Sequence, residues 1–145
     1  VTNDERRQWK RGTELRFSIP PDPRLGGYVR RQIMAFARTQ GIVDDDITDF
    51  IGAIGEALAN AIEHAHTRKP IEIVAWVIDD RLFASVHDQG VGFAPSERTV
   101  AQKLPDVYAE RGRGLPIMRR YADVFSVRSV PGEGTRVTLG CHVSN

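Results

Sequence analysis

The chain has 145 residues, with 20 Lys and Arg against 19 Asp and Glu and a formal net charge of +1. That balance supplies no basic field for direct nucleic-acid binding or for an anionic membrane, and no apolar run approaches the ~20 residues of a membrane span. The length suits one domain that needs no staple, and Cys141, the single cysteine, reads as a small core residue in a chain suited to a reducing, cytoplasmic setting.

Residues 1–12, ending in Arg-Arg-Gln-Trp-Lys-Arg-Gly, are charged and read as a linker or flexible arm, with Trp9 available to dock on a neighbour. Residues 13–145 read as one domain. Leu15, Phe17 and Ile19 alternate with Glu14, Arg16 and Ser18, the pattern of a half-buried strand stopped by Pro20-Pro21. Pro23 opens a helix predicted to run to about residue 40, with Val29, Ile33, Phe36 and Ala37 as its apolar stripe and Gly41 as its stop. Asp44, Asp45 and Asp46 then sit where a helix N-terminus favours negative charge.

The helix that follows is predicted to end at Arg68-Lys69-Pro70. At about 100° per residue, Ile47, Phe50, Ile51, Ile54, Leu58, Ile62 and Ala65 share an arc of roughly 120°, a core-facing stripe. Glu56, Asn60 and His64 recur every four residues and form a second stripe. Small side chains at Gly52, Ala53, Ala57 and Ala59 surround it, and Asn is a poor mid-helix residue. A carboxylate, an amide and an imidazole in a row, with space around them, read as the wall of a ligand site. His64 reads equally well as a partner for the helix C-terminal dipole, and Glu63 competes with Glu56 as a reactive carboxylate.

Two strands are predicted next, at residues 71–78 and 82–87, as a hairpin turning at Asp79-Asp80-Arg81, with Trp76 packed on the sheet. Residues 94–113 carry no pattern, and a segment of that length inside a domain is usually functional. A short helix is predicted at 114–121, then strands at 124–130 and 136–143. Three glycine-bearing turns punctuate this half: Asp88-Gln-Gly90-Val-Gly92 at a strand end, Gly112-Arg-Gly114-Leu115 at a helix start, and Gly132-Glu-Gly134-Thr135 between strands. Neither a G-x-G-x-x-G dinucleotide turn nor a G-x-x-x-x-G-K-[ST] phosphate loop is present.

The run Glu56-x-x-x-Asn60-x-x-x-His64 followed by these three turns, in this order, resembles the GHKL ATPase superfamily. The small size is most similar to the bacterial anti-sigma-factor serine/threonine kinases, and the resemblance covers residues 13–143. It implies the Bergerat ATP-binding fold: an α/β (α+β) two-layer sandwich, with a mixed, mostly antiparallel sheet and helices packed on one face. It also implies ATP and Mg²⁺ as cofactors, with Asn60 as a metal ligand and Glu56 as the catalytic base. Asp88 would hold the adenine amine, with Thr135 beside it and Gly90 and Gly92 letting the backbone approach the base. Arg111, Gly112, Arg113, Gly114 and Leu115 would take the phosphates, and His64 matches a further family position. Residues 94–113 would then close as a lid over the triphosphate.

The function this resemblance implies is phosphorylation of an anti-sigma-factor antagonist by a homodimer that also binds a sigma factor. Two alternatives remain: a nucleotide-gated binding module without kinase activity, and an ATP hydrolase with Glu56 activating water.

Overall fold

The computed structural model describes residues 14–90 and 124–143. The arm with Trp9, the proposed lid at 94–113 and the helix predicted at 114–121 lie outside the described residues. In chain order the elements are β1 (Leu15–Ile19), a 3-10 turn (Pro23–Leu25), α1 (Gly26–Thr39), a second 3-10 turn (Asp44–Asp46) and α2 (Thr48–His64). The strands β2 (Ile71–Ile78), β3 (Arg81–Asp88), β4 (Val124–Val130) and β5 (Gly134–His142) follow. The strands form one sheet in the order β1-β2-β3-β5-β4. Every pairing among the described residues is antiparallel, so the sheet predicted as mixed shows no parallel pair there.

The sheet's buried face follows from period-two alternation. Ile71, Ile73, Ala75 and Val77 on β2 are buried, in register with Leu82, Ala84 and Val86 on β3 and with Val137, Leu139 and Cys141 on β5. The stripe of α2 (Phe50, Ile51, Ile54 and Leu58, with Ile47 before it) closes over them, and Val29, Ile33 and Ala37 of α1 complete the core. The helices thus form one layer: α2 packs on β3 and β5, and α1 packs on α2 and β2. On the opposite sheet face, Trp76 stacks on Phe83 with centroids 5.4 Å apart and planes within 10°. β1 lies at one edge of the described sheet.

The helix ends differ from their sequence-based bounds for local reasons. The Asp22 side chain accepts from Arg24 N–H at 2.9 Å and caps a single 3-10 turn before α1 begins. Gly41, at φ 79°, closes α1. Its N–H donates to Arg38 O, and Ile42 N–H donates to Ala37 O, both at 3.0 Å, the paired bonds of a Schellman stop, with Ile42 buried behind it. Arg38 grips Asp44 at 2.6 and 2.9 Å and ties α1 to the next turn. The aspartate run forms its own 3-10 turn, so α2 starts at Thr48. It stops at His64, four residues short of Arg68, because His66 enters the left-handed region at φ 53° and turns the chain toward β2.

Two glycines with positive φ differ in what surrounds them. Gly41 has open space where a Cβ would point, so Gly41→Ala carries only the left-handed backbone penalty of about 1 kcal/mol. At Gly134, φ 99°, a Cβ would run into the Asp88 carbonyl, with Gln89 Cα 2.9 Å away. Gly134→Ala is expected to lose about 3 kcal/mol or more, since both strain and overlap must be relieved. Urea denaturation of the two variants should place Gly134→Ala well below Gly41→Ala.

Candidate functional site

The polar stripe of α2 is largely withdrawn from water. Glu56 and His64 are half-buried, and Asn60 is 1% exposed. Both polar atoms of the Asn60 amide are buried without a hydrogen-bond partner among the described residues. An unsatisfied buried amide costs about 1–3 kcal/mol, so this side chain is poorly explained by packing alone. His64 Nε2 is likewise buried without a hydrogen-bond partner among the described residues; it lies 3.8 Å from Glu63 Oε1, too far for a hydrogen bond. Glu63 itself is exposed and lines a cavity of about 440 Å³ between α1 and α2, together with Arg30 and Gly55.

A second polar group sits on the helix-facing side of the sheet where β3, β5 and β4 end together. Asp88 is opposite Thr135, and Thr135 is opposite Ser129. All three are buried, none more than 6% exposed. Asp88 Oδ1 accepts from Gly90 N–H at 2.9 Å and from Thr135 N–H at 3.3 Å. That fixes the carboxylate through one oxygen. The Thr135 and Ser129 hydroxyls are 2.8 Å apart, and Ser129 Oγ lies 3.3 Å from Gly134 O.

The two groups are joined by a backbone contact. A Cβ on Gly90 would run into the Ala65 carbonyl, with Ala65 Cα 2.7 Å away. The missing side chain at Gly90 therefore answers to the end of α2, whereas the sequence reading gave it the approach of a ligand base. The contact sets the Asp88 turn against the helix that carries Glu56, Asn60 and His64.

Of the residues singled out from sequence, Glu56, Asn60 and His64 lie on α2, and Asp88, Gly90 and Thr135 lie at the strand ends, where Gly90 meets Ala65 just past the end of that helix. Gly92, Arg111, Gly112, Arg113, Gly114 and Leu115 lie outside the described residues. Ser129 was missed. The β4–β5 turn spans only residues 131–133, so the register places Ser129 against Thr135; a strand starting at 136 hid that pairing. Among the described residues no cluster of His, Cys, Asp or Glu could hold a metal by itself, and no helix is long and apolar enough to cross a membrane.

Burial pushes the Asp88 carboxyl above its ordinary value of 3.8, while the Gly90 and Thr135 N–H groups and nearby His87 pull it partly back. The folded state therefore binds this proton more tightly than the unfolded chain. Its stabilising effect is full below the unfolded value and is lost as pH rises through the elevated folded one. Asp88→Asn keeps an oxygen for both backbone donors and removes the buried charge. It is expected to raise the Tm of the ligand-free protein at pH 7, with the gain fading as pH falls toward 3.8; melts at the two pH values check this.

The family model of the histidine kinase-like ATPase domain matches residues 19–141. The anti-sigma F factor of Caldanaerobacter subterraneus subsp. tengcongensis is 30% identical over 116 residues, 77% of this chain and 81% of that relative. The serine-protein kinase RsbW of Bacillus velezensis is 30% identical over 149 residues, 90% and 93% of the two chains. Among solved structures, the RsbU and RsbW domains of a Mycobacterium tuberculosis protein superpose with a TM-score of 0.69 at 24% identity. That match takes in 91% of this chain and 33% of that one, so the present chain spans about a third of it. With the antiparallel sheet, the single helical layer and the matched residues, the chain belongs to the histidine kinase-like ATPase domain family, among the relatives of the anti-sigma F factors and RsbW serine-protein kinases.

Proposed function

We propose that this chain is an ATP-dependent serine/threonine protein kinase that acts as an anti-sigma factor, phosphorylating an anti-sigma-factor antagonist and binding a sigma factor in a partner-switching system. The observation that carries this reading is the α2 stripe, in which a half-buried carboxylate stands one turn before a buried amide that has no hydrogen-bond partner among the described residues. The names of the two 30%-identical relatives, one an anti-sigma F factor and one a serine-protein kinase, support the assignment of activity and partners.

The residues fit the cofactors of the family. Mg²⁺ prefers oxygen ligands, and the Asn60 amide oxygen is a neutral ligand atom with no hydrogen-bond partner among the described residues. Bound with a nucleotide, the ion neutralises charge on the phosphates. Asn60 would hold it, and Glu56, one turn earlier on the same face, would accept the proton of the attacking Ser or Thr hydroxyl. The other oxygen of Asp88 would accept from the adenine amine. Arg111, Arg113 and the glycines between and after them are assigned to the phosphates on the family resemblance. β1, at an edge of the described sheet, offers a pairing surface for a homodimer.

Incubation with labelled ATP and a candidate antagonist tests the reading. Label on the antagonist is the expected result. Label released as free phosphate would make the chain a hydrolase, and binding without turnover a nucleotide-gated module. Glu56→Ala is expected to keep ATP binding and to lower transfer by about 10²–10⁴-fold, because the carboxylate acts only as the proton leaves. Transfer at the wild-type rate would move the base elsewhere, with Glu63 the first residue to replace.

A further inference from the structure

The sheet face turned away from the helices carries charge unevenly. One row of residues crosses all five strands in register: Ser18, Glu72, His87, Arg136 and Arg128. It shares its face with Trp76 and Phe83, since period-two alternation puts Glu72 with Trp76 on β2 and His87 with Phe83 on β3. At the β1 side of the row the charges are matched. Arg16 holds Glu72 at 2.9 Å and Glu14 at 3.1 Å, so both carboxylates are engaged. At the β4 side they are not. Arg128 stands directly opposite Arg136, both are exposed, and neither forms a salt bridge among the described residues. Arg136 instead donates from Nη2 to His87 Nδ1 at 3.4 Å, because a guanidinium has no lone pair to accept with. Like charges directly opposite destabilise a sheet, so the strands themselves give no reason for this pair.

His87, Arg128 and Arg136 line a hollow of about 260 Å³, with Val130, 46% exposed, beside them. Glu133 also lines it, yet it forms no salt bridge with either arginine. We propose that this hollow docks an acidic segment of a partner protein, which sets carboxylates on Arg128 and Arg136 and an apolar side chain on Val130.

Charge and spacing favour that occupant. Neighbouring strands lie about 4.8 Å apart, close to the ~5–6 Å between side chains one turn apart on a helix. Two carboxylates at such spacing reach both arginines, and each guanidinium can take a carboxylate through two parallel hydrogen bonds. The counter-charge that the sheet lacks on β4 and β5 then comes from the partner. A small anion would meet the guanidinium groups but leave Val130 and the stacked Trp76–Phe83 pair unused. Arginine and aromatic side chains on one face are the residue types enriched at protein interfaces. The hollow lies on the reverse of the strand ends that carry Asp88, Thr135 and Ser129, so filling it leaves the nucleotide corner open.

The probe is a fluorescein-labelled peptide of Glu-Glu-Leu repeated three times, titrated with the full chain and followed by anisotropy. Binding is expected to weaken as salt is raised. It should fall about tenfold in Arg128→Gln/Arg136→Gln, which keeps both stems and removes both charges. Arg24→Gln/Arg31→Gln removes the same charge from α1 and the turn before it, and should bind as wild type does. A second measurement needs no variant to fold: the assigned Nε–H resonances of Arg128 and Arg136 in wild type should shift when the peptide is added. Resonances that stay in place, or equal weakening in the two double variants, would overturn the proposal. So would displacement of the peptide by ATP and Mg²⁺, which would put it at the nucleotide site. Displacement by an equal concentration of pyrophosphate would make the hollow a small-anion site and overturn it too. A lower mass by light scattering in Arg128→Gln/Arg136→Gln would make this face an interface between copies of the chain, with the same consequence.

Discussion

The corner where β3 ends depends on how one buried carboxylate is held. Asp88 lies in a low-dielectric setting that disfavours its charge, and its charge is tolerated because two backbone N–H groups converge on one oxygen. Each donor imposes a requirement on the chain that supplies it. Gly90 N–H reaches Asp88 only from a turn pressed against Ala65, where no side chain fits. Thr135 N–H reaches it only if β5 begins beside the Asp88 carbonyl, which requires Gly134 to adopt φ 99° without a Cβ. Two glycines, the start of β5 and the end of α2 are therefore set by one carboxylate. The arrangement lowers the stability of the ligand-free fold, as expected for a site kept for binding.

The remainder of the fold aligns this corner with the α2 stripe. The apolar side of α2 fixes the helix over β3 and β5, and its rotation follows from Phe50, Ile54 and Leu58. Once that rotation is set, Asn60 is buried whether or not it has a partner, and Glu56 and His64 stand one turn to either side. The orphaned amide is the mark of a group positioned for something other than packing. In the ligand-free protein it is a local cost; under the proposed function it would become a ligand in the complex with Mg²⁺ and nucleotide.

Much of this was legible in the sequence because the signals were periodic. The apolar stripes of α1 and α2 and the alternation of β1 to β5 gave the elements, and the order of the Glu56-Asn60-His64 run and the glycine turns pointed to the family. What the sequence could not show was geometry that depends on register. A single residue's difference in where β5 begins decides whether Ser129 faces Thr135, and the glycine-rich turn carries no periodic cue to that choice. The end of α2 was misplaced because His66, a residue with no strong turn signature, takes the left-handed conformation there. The close approach at Gly90 was not legible because only the fold brings Ala65, 25 positions earlier in the sequence, against it.

The proposed assignment of the α2 stripe to a Mg²⁺-nucleotide site is tested most directly at Asn60, whose side-chain amide has no hydrogen-bond partner among the described residues. The side-chain NH₂ resonances of Asn60, identified by their loss in Asn60→Asp, can be followed by NMR. The expected result is a clear shift when ATP and Mg²⁺ are added together, and a smaller one when ATP is added with a chelator. Resonances that stay in place under saturating ATP and Mg²⁺ would contradict the assignment and leave the buried amide as a structural residue.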